Sequence, residues 1–208
     1  MNPDSSSDGK ALQSPTRLRD RLREETYRAI LGSAEEIFGE EGMGARMERI
    51  AARAGVAVGT LYNHFEDRDA LVRALSCSRR EALMARLDAA LAASAGQPIE
   101  ARLRALLGAL AEHGQAHGRY LTALVQSGEG PARLHPSGSL HDELVRRVQA
   151  VLEEGLASGQ LTPGDAALRA AALVGMARAV LVRAVQGAGG WEALPGAVVD
   201  LFLHGVAR

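Results

Sequence analysis

Apolar positions recur along this chain at helical spacing almost from end to end. From Leu22 they fall at Leu22, Thr26, Ile30, Ala34, Ile37 and Phe38, one face of a helix that Pro15 can open, with Ser14 as its N-cap, and that Gly42 stops. A short helix follows over Met47 to Ala54, with Met47, Ile50, Ala51 and Ala54 on one side and Gly55 where a helix end favours a left-handed residue. The next helix starts no earlier than Val56. From Asp67 a long pattern (Ala70, Leu71, Ala74, Leu75, Leu83, Leu87, Leu91) runs to the break at Gly96 and Pro98. Helices are predicted at about 98 to 114 and 116 to 127, then an irregular connection, SGEGPARLHPSGS. Leu140, Leu144, Val145, Val148, Val151, Leu152 and Leu156 mark another helix, closed by Gly159. In TPGD, Thr162 is the expected N-cap of a helix reaching QGAGG, and a last helix is expected around Pro195 to Val206.

Composition agrees. The apolar fraction is 47% but only 3% is aromatic, and Ala and Leu dominate, which favours helix because unbranched side chains lose little rotamer freedom there. The expected fold class is all-α. Residues 1–13 have almost nothing to bury and are expected to be disordered, leaving 14–66 and 67–208 as two helical domains. A single cysteine, Cys77, leaves no disulfide framework or cysteine zinc site and fits a reducing, cytoplasmic setting. The start of the chain lacks the apolar run of a signal peptide, and the most apolar later stretch is cut by Arg178 and Arg183, so neither export nor membrane insertion is expected.

A net charge of -1 means that any attraction to nucleic acid must come from a local patch. Met47 to Phe65 has the layout of a helix-turn-helix, whose second helix lies in the DNA major groove. Ala51 is small where two helices cross, Gly55 permits the turn, and Ile50, Val56 and Leu61 fill the core between them. Lys10, Arg17, Arg19, Arg21 and Arg23 precede the motif with only Asp20 among them; they are either an arm for neighbouring phosphates or solvated helix charge.

The segment VGTLYNHFEDRDAL sharpens this reading. With Phe38 and Gly42 ending the first helix, and Ile50-Ala51, Ala54-Gly55-Val56, Gly59-Thr60-Leu61-Tyr62, His64-Phe65 and Ala70-Leu71 in order, residues 20 to 75 resemble the DNA-binding region of the TetR family of bacterial transcriptional regulators. Two departures stand out: the stretch from Gly42 to Ile50 is one residue short of the common pattern, and Val58 replaces a residue that is often Lys, Arg or Pro. The resemblance implies phosphate contacts from Arg46, Thr60, Tyr62, His64 and Arg68, and base contacts from Val58, Gly59 and Asn63. Tyr62 donates through a hydroxyl at the outer edge of its ring, Asn63 suits adenine, and Phe65 ties the short helices to the long one.

The resemblance further implies a homodimer on a palindromic double-stranded DNA operator, answering to a small-molecule effector, as a repressor, without cofactor or metal. Ala166, Ala170, Leu173, Val174, Ala177, Val180, Leu181 and Ala184, with Leu194, Val198, Leu201 and Phe202 of the last helix, are the expected dimer face. His113, His117 and Tyr120, with Trp191, are candidate effector contacts, each of which can equally be ordinary packing or surface. Two other readings remain: a DNA-binding or architectural factor without effector, and a helical metal enzyme built on His113 and His117, four residues apart, with Glu112 and His141.

Overall fold

The computed structural model describes residues 15–128 and 140–205. Ser14, Lys10, the N-terminal tail, most of the 127 to 139 connection and Val206 lie outside the described residues. Every regular element described is helical: α1 Pro15–Glu41, α2 Met47–Ala54, α3 Val58–His64, α4 Arg68–Ala93, α5 Ile99–Ala116, α6 Gly118–Gln126, α7 Leu140–Ala157, α8 Ala166–Arg183 and α9 Val199–His204. None of the described helices is long and apolar enough to cross a membrane.

The chain buries two hydrophobic cores. The first joins Ile30, Ala34, Ile37 and Phe38 of α1 to Ile50 and Ala51 of α2, Leu61 of α3 and Phe65. It also takes in Leu71, Val72 and Leu75 from α4 and Tyr120 and Leu124 from α6. The first core therefore runs across position 66. The second core gathers Leu83 and Leu87 of α4, the inner faces of α5, α7 and α8, and Leu194, Val198 and Val199.

Local chemistry sets the helix ends. Gly42 (φ 84°) ends α1 and Gly55 (φ 69°) ends α2, both in the left-handed region where a side chain is strained. Asp67 caps α4 by accepting from the Ala70 N–H at 2.7 Å. At α8 the cap is Asp165, not Thr162: its carboxylate accepts from the Ala167 and Leu168 N–H groups at 2.8 and 3.1 Å. The helix starts three residues later than expected because the carboxylate at 165 reaches the free amides, while the Thr162 carbonyl accepts from Arg169. After Arg183 the chain makes a π-helical turn, Ala184–Ala188, broken at Gly187 (φ 85°). The last helix likewise begins as a π-helical segment, Leu194–Val198, before α9.

The outward and inward faces of α8 are the reverse of those expected for a dimer surface. Leu173, Ala177 and Val198 are buried in the protomer's own second core, and Val180, Leu181 and Phe202 pack against it. Only Leu201 of the residues named for that surface is largely exposed. The reason is that α5 and α7 need an apolar cover, and the broad aliphatic face of α8 supplies it. What α8 turns outward includes Leu168, Ala172, Gly175, Ala179 and Val182, a stripe of small and aliphatic residues flanked by exposed Arg178 and Arg183.

α1 and α6 cross at Gly39, where a Cβ would stand 3.0 Å from Arg119 Cβ and 3.4 Å from the Tyr120 amide nitrogen. At Gly32, two turns earlier on the same helix, nothing lies within 4 Å. Gly39→Ile is thus expected to cost about 1 to 3 kcal/mol by overpacking, whereas Gly32→Ala should stabilise by about 0.5 to 1 kcal/mol through helix propensity. Urea denaturation of the two variants checks the contrast, and equal stabilities would refute the close crossing.

Candidate nucleic-acid interface and interior cavity

The helix-turn-helix is held by its buried side. Val56 N–H returns to the Ala51 carbonyl at 3.0 Å, closing the end of α2 around Gly55, and α3 begins after Ala57. Leu61 is fully buried, and Phe65 stacks on Tyr27 of α1 with ring centroids 5.3 Å apart. Two arginines of α2 pin it to α1: Arg53 pairs with Glu36 at 2.6 Å and Glu40 at 2.9 Å, and Arg49 with Glu41 at 2.8 Å. Their spacing four apart, opposite carboxylates four apart on α1, was a legible signal that motif reading passed over.

With that side buried, Val58, Gly59, Tyr62 and Asn63 all face solvent on one side of α3, Tyr62 with 45% of its surface exposed. Arg46 is exposed just before α2, and Thr60 is half-buried. His64 is half-buried beside the aromatic pair, 6.2 Å from both Tyr27 and Phe65. Arg68 is half-exposed; its Nη1 donates to the Met43 carbonyl at 2.9 Å and its Nη2 lies 3.5 Å from Asp69, so it braces the α1–α2 turn as well as standing near the same surface. Of the basic run, Arg17, Arg19, Arg21 and Arg23 lie on the first turns of α1, and Arg19, Arg21 and Arg23 are exposed there.

Between the two cores lies a cavity of about 170 Å³. Its walls come from α4 (Ser76, Arg79, Arg80, Leu83), α5 (Leu110, His113, Gly114), α6 (Tyr120, Leu121, Leu124), Leu140, and Leu181, Val185 and Trp191 from the C-terminal part. Tyr120 is buried and shares a 2.7 Å hydrogen bond with Ser76 across the wall. His117 does not line the cavity. Its Nδ1 bonds Glu35 of α1, and the same carboxylate pairs with Arg79 at 2.7 Å, so Glu35 ties α1 to α4 and to the end of α5. Glu35, Arg79 and Arg80 escaped the sequence reading, although Ser76, Arg79, Arg80 and Leu83 fall on one side of α4 at helical spacing.

The His113 and His117 rings sit 4.5 Å apart, but the other residues considered for a metal do not join them. Glu112 pairs with Arg86 at 2.8 Å and His141 is exposed at the start of α7. Among the described residues one group has metal-ligand proximity, Glu100, Asp200 and His204, and Arg104 pairs with both of its carboxylates.

The helix-turn-helix region matches the profile of bacterial regulatory proteins of the tetR family over residues 30–75. That match covers the helix-turn-helix region alone, and it is this region that is similar to the tetR family. The HTH-type transcriptional regulator UidR of Escherichia coli (strain K12) is 39% identical over 62 residues, which span 29% of this chain and 32% of the relative, about a third of its length. The solved structure of the TetR family transcriptional regulator PfmR from Thermus thermophilus superposes with a TM-score of 0.69 at 24% identity, over 86% of this chain and 99% of that one. FadR from Bacillus subtilis, solved in complex with stearoyl-CoA, gives 0.69 at 20% identity over 87% and 100% of the two chains. At these identities the likeness shows a shared fold over most of the chain, well beyond the helix-turn-helix region.

Burial, then His117 and the guanidiniums of Arg86 and Arg79, pushes the His113 imidazole down from 6.5 to about 4. Between those values the unfolded chain binds one proton more than the folded one, so this group's contribution is complete above pH 6.5 and is lost as pH falls toward 4. Lowering the pH from 7 to 5 should cost wild type roughly 2 kcal/mol more than it costs His113→Leu. Chemical denaturation of both proteins at the two pH values measures it; parallel losses would show that His113 is not held neutral.

Proposed function

We propose that this protein is a homodimeric, ligand-responsive transcriptional regulator that acts as a repressor, leaving a palindromic operator when a small molecule enters the cavity. The carrying observation is that α4 lines the cavity at Ser76, Arg79, Arg80 and Leu83 while its first turns complete the core under the helix-turn-helix. An occupant that displaces the middle of α4 acts on the DNA-facing helices through one rigid rod. Glu35 adds a second link, from Arg79 at the cavity to α1. Stearoyl-CoA in the similar FadR supports the idea that this fold admits a small molecule. An operator-binding role also puts the protein in the cytoplasm, with the DNA.

The exposed face of α3 supplies the reading surface. Asn63 and the Val58 side chain are offered to base edges, with Gly59 allowing close approach, while Arg46, Thr60, Tyr62, His64 and Arg68 serve the phosphates. Selection from a random duplex pool tests the reading, and failure to enrich any sequence would defeat it. On the enriched site, Asn63→Ala should lose about 1 to 3 kcal/mol of discrimination at one base pair, whereas Tyr62→Phe should weaken all sequences alike. A uniform loss from both variants would contradict the division of roles.

Two heads on half-sites spaced by about 34 Å, or a multiple of it, need a dimer to hold them. The outward stripe of small and aliphatic residues on α8 (Leu168, Ala172, Gly175, Ala179, Val182), with exposed Leu201 of α9, is the surface for it, since its small residues let two helices approach closely. Leu168→Glu combined with Val182→Glu should give a helical monomer without operator binding. Sedimentation as a dimer would send the search for the interface to another face.

A further inference from the structure

The cavity's chemistry narrows its occupant, an inference that rests on the effector-binding role proposed for it. Its volume, about 170 Å³, is close to the ~150 Å³ of an engineered protein cavity that holds benzene, and far below the several hundred that enclose a drug-sized ligand. A long acyl chain would extend well beyond it. One wall is the chain's single tryptophan: Trp191 packs on the bare Cα of Gly114, where a Cβ would lie 2.0 Å from the indole Cζ3. That seat exists only because position 114 is glycine, and it fixes an aromatic surface against the space.

The polar groups of the lining are mostly committed. Ser76 and Tyr120 bond each other. Arg79 is met by Glu35 at 2.7 Å and Arg80 by Glu143 at 2.9 Å, so each guanidinium already has its carboxylate. The Arg79 Nε–H is buried and lacks an acceptor. An anionic guest would be stripped of water beside guanidiniums whose charge is already compensated by Glu35 and Glu143. Among the described residues, the His113 imidazole and the Trp191 indole N–H are lining groups with no hydrogen bond. A buried neutral imidazole presents one donor and one acceptor, which suits a hydroxyl or carbonyl.

We propose that the effector is a small uncharged aromatic compound carrying a single hydroxyl or carbonyl, seated against Trp191 with its polar atom on His113. Titration calorimetry of the full-length protein with para-cresol, toluene, para-toluate and stearoyl-CoA tests it. Para-cresol should bind, and para-toluate, an anion of similar shape, should bind more weakly by about tenfold or more, the outcome of desolvating a charge without a partner. The advantage of para-cresol over toluene, about tenfold for one hydrogen bond, should vanish in His113→Leu while toluene still binds. Trp191→Ala should shift preference toward larger alkylphenols, which checks the wall independently of the imidazole. Tighter binding of para-toluate or stearoyl-CoA, no binding of para-cresol, or a para-cresol affinity indifferent to both substitutions would overturn the proposal. Operator selection without ligand separates the two levels: enrichment of a sequence with no para-cresol binding leaves the regulator standing and removes this effector class, whereas para-cresol binding without enrichment does the opposite.

Discussion

The structure depends on α4 remaining one unbroken helix through two cores. Its 26 residues extend about 39 Å. Leu71, Val72 and Leu75 near its start belong to the core under the helix-turn-helix, and Leu83 and Leu87 belong to the core of the larger domain. Packed interiors do not deform smoothly, so a rigid element held in both cannot move in one without a response in the other. Arg68, at its first position, braces the turn between α1 and α2 through the Met43 carbonyl. The same rod thus reaches from the helix-turn-helix to the wall of the cavity.

A set of polar contacts joins the helices where the two cores meet. Ser76 with Tyr120, and Glu35 with Arg79 and His117, lie in the layer between them, joining α1, α4, α6 and the end of α5. Partly buried ion pairs contribute little net stability, since desolvation offsets most of the attraction. They do make the relative placement of the helices discrete, because a sliding α1 would leave a carboxylate or a guanidinium unpaired. Gly39 works with them: the bare helix surface lets α6 come close enough for Tyr120 to cross into the first core and still bond Ser76 on α4.

The C-terminal region joins the cavity to the outer surface. Trp191 follows Gly187, Gly189 and Gly190, all with positive φ, so the chain between α8 and the last helix can fold back and press the indole on Gly114. Leu181, also in the cavity wall, sits on α8, and Val182, the next residue, faces outward. The space inside the protomer and the stripe outside it are therefore two sides of one helix.

Much of this was legible in the residues. Helical periodicity alone placed nearly every helix, because an amphipathic face must recur every three to four positions whatever it packs against. The helix stop at Gly42, the left-handed Gly55 and the burial of Leu61 followed from local sterics, whereas the outward Tyr62 came from the family resemblance. Periodicity identifies an apolar face but not its partner, and there the tertiary structure decided. Leu173, Ala177 and Val198 cover α5 and α7 inside one protomer, while a weaker stripe of alanine, glycine and single aliphatics is left outside. Thr162 was the expected cap of α8, and only the backbone's path gave that place to Asp165. Glu35, Arg79 and His117 are 82 residues apart at the extremes, and no local pattern signals a contact whose members meet only after three helices have packed.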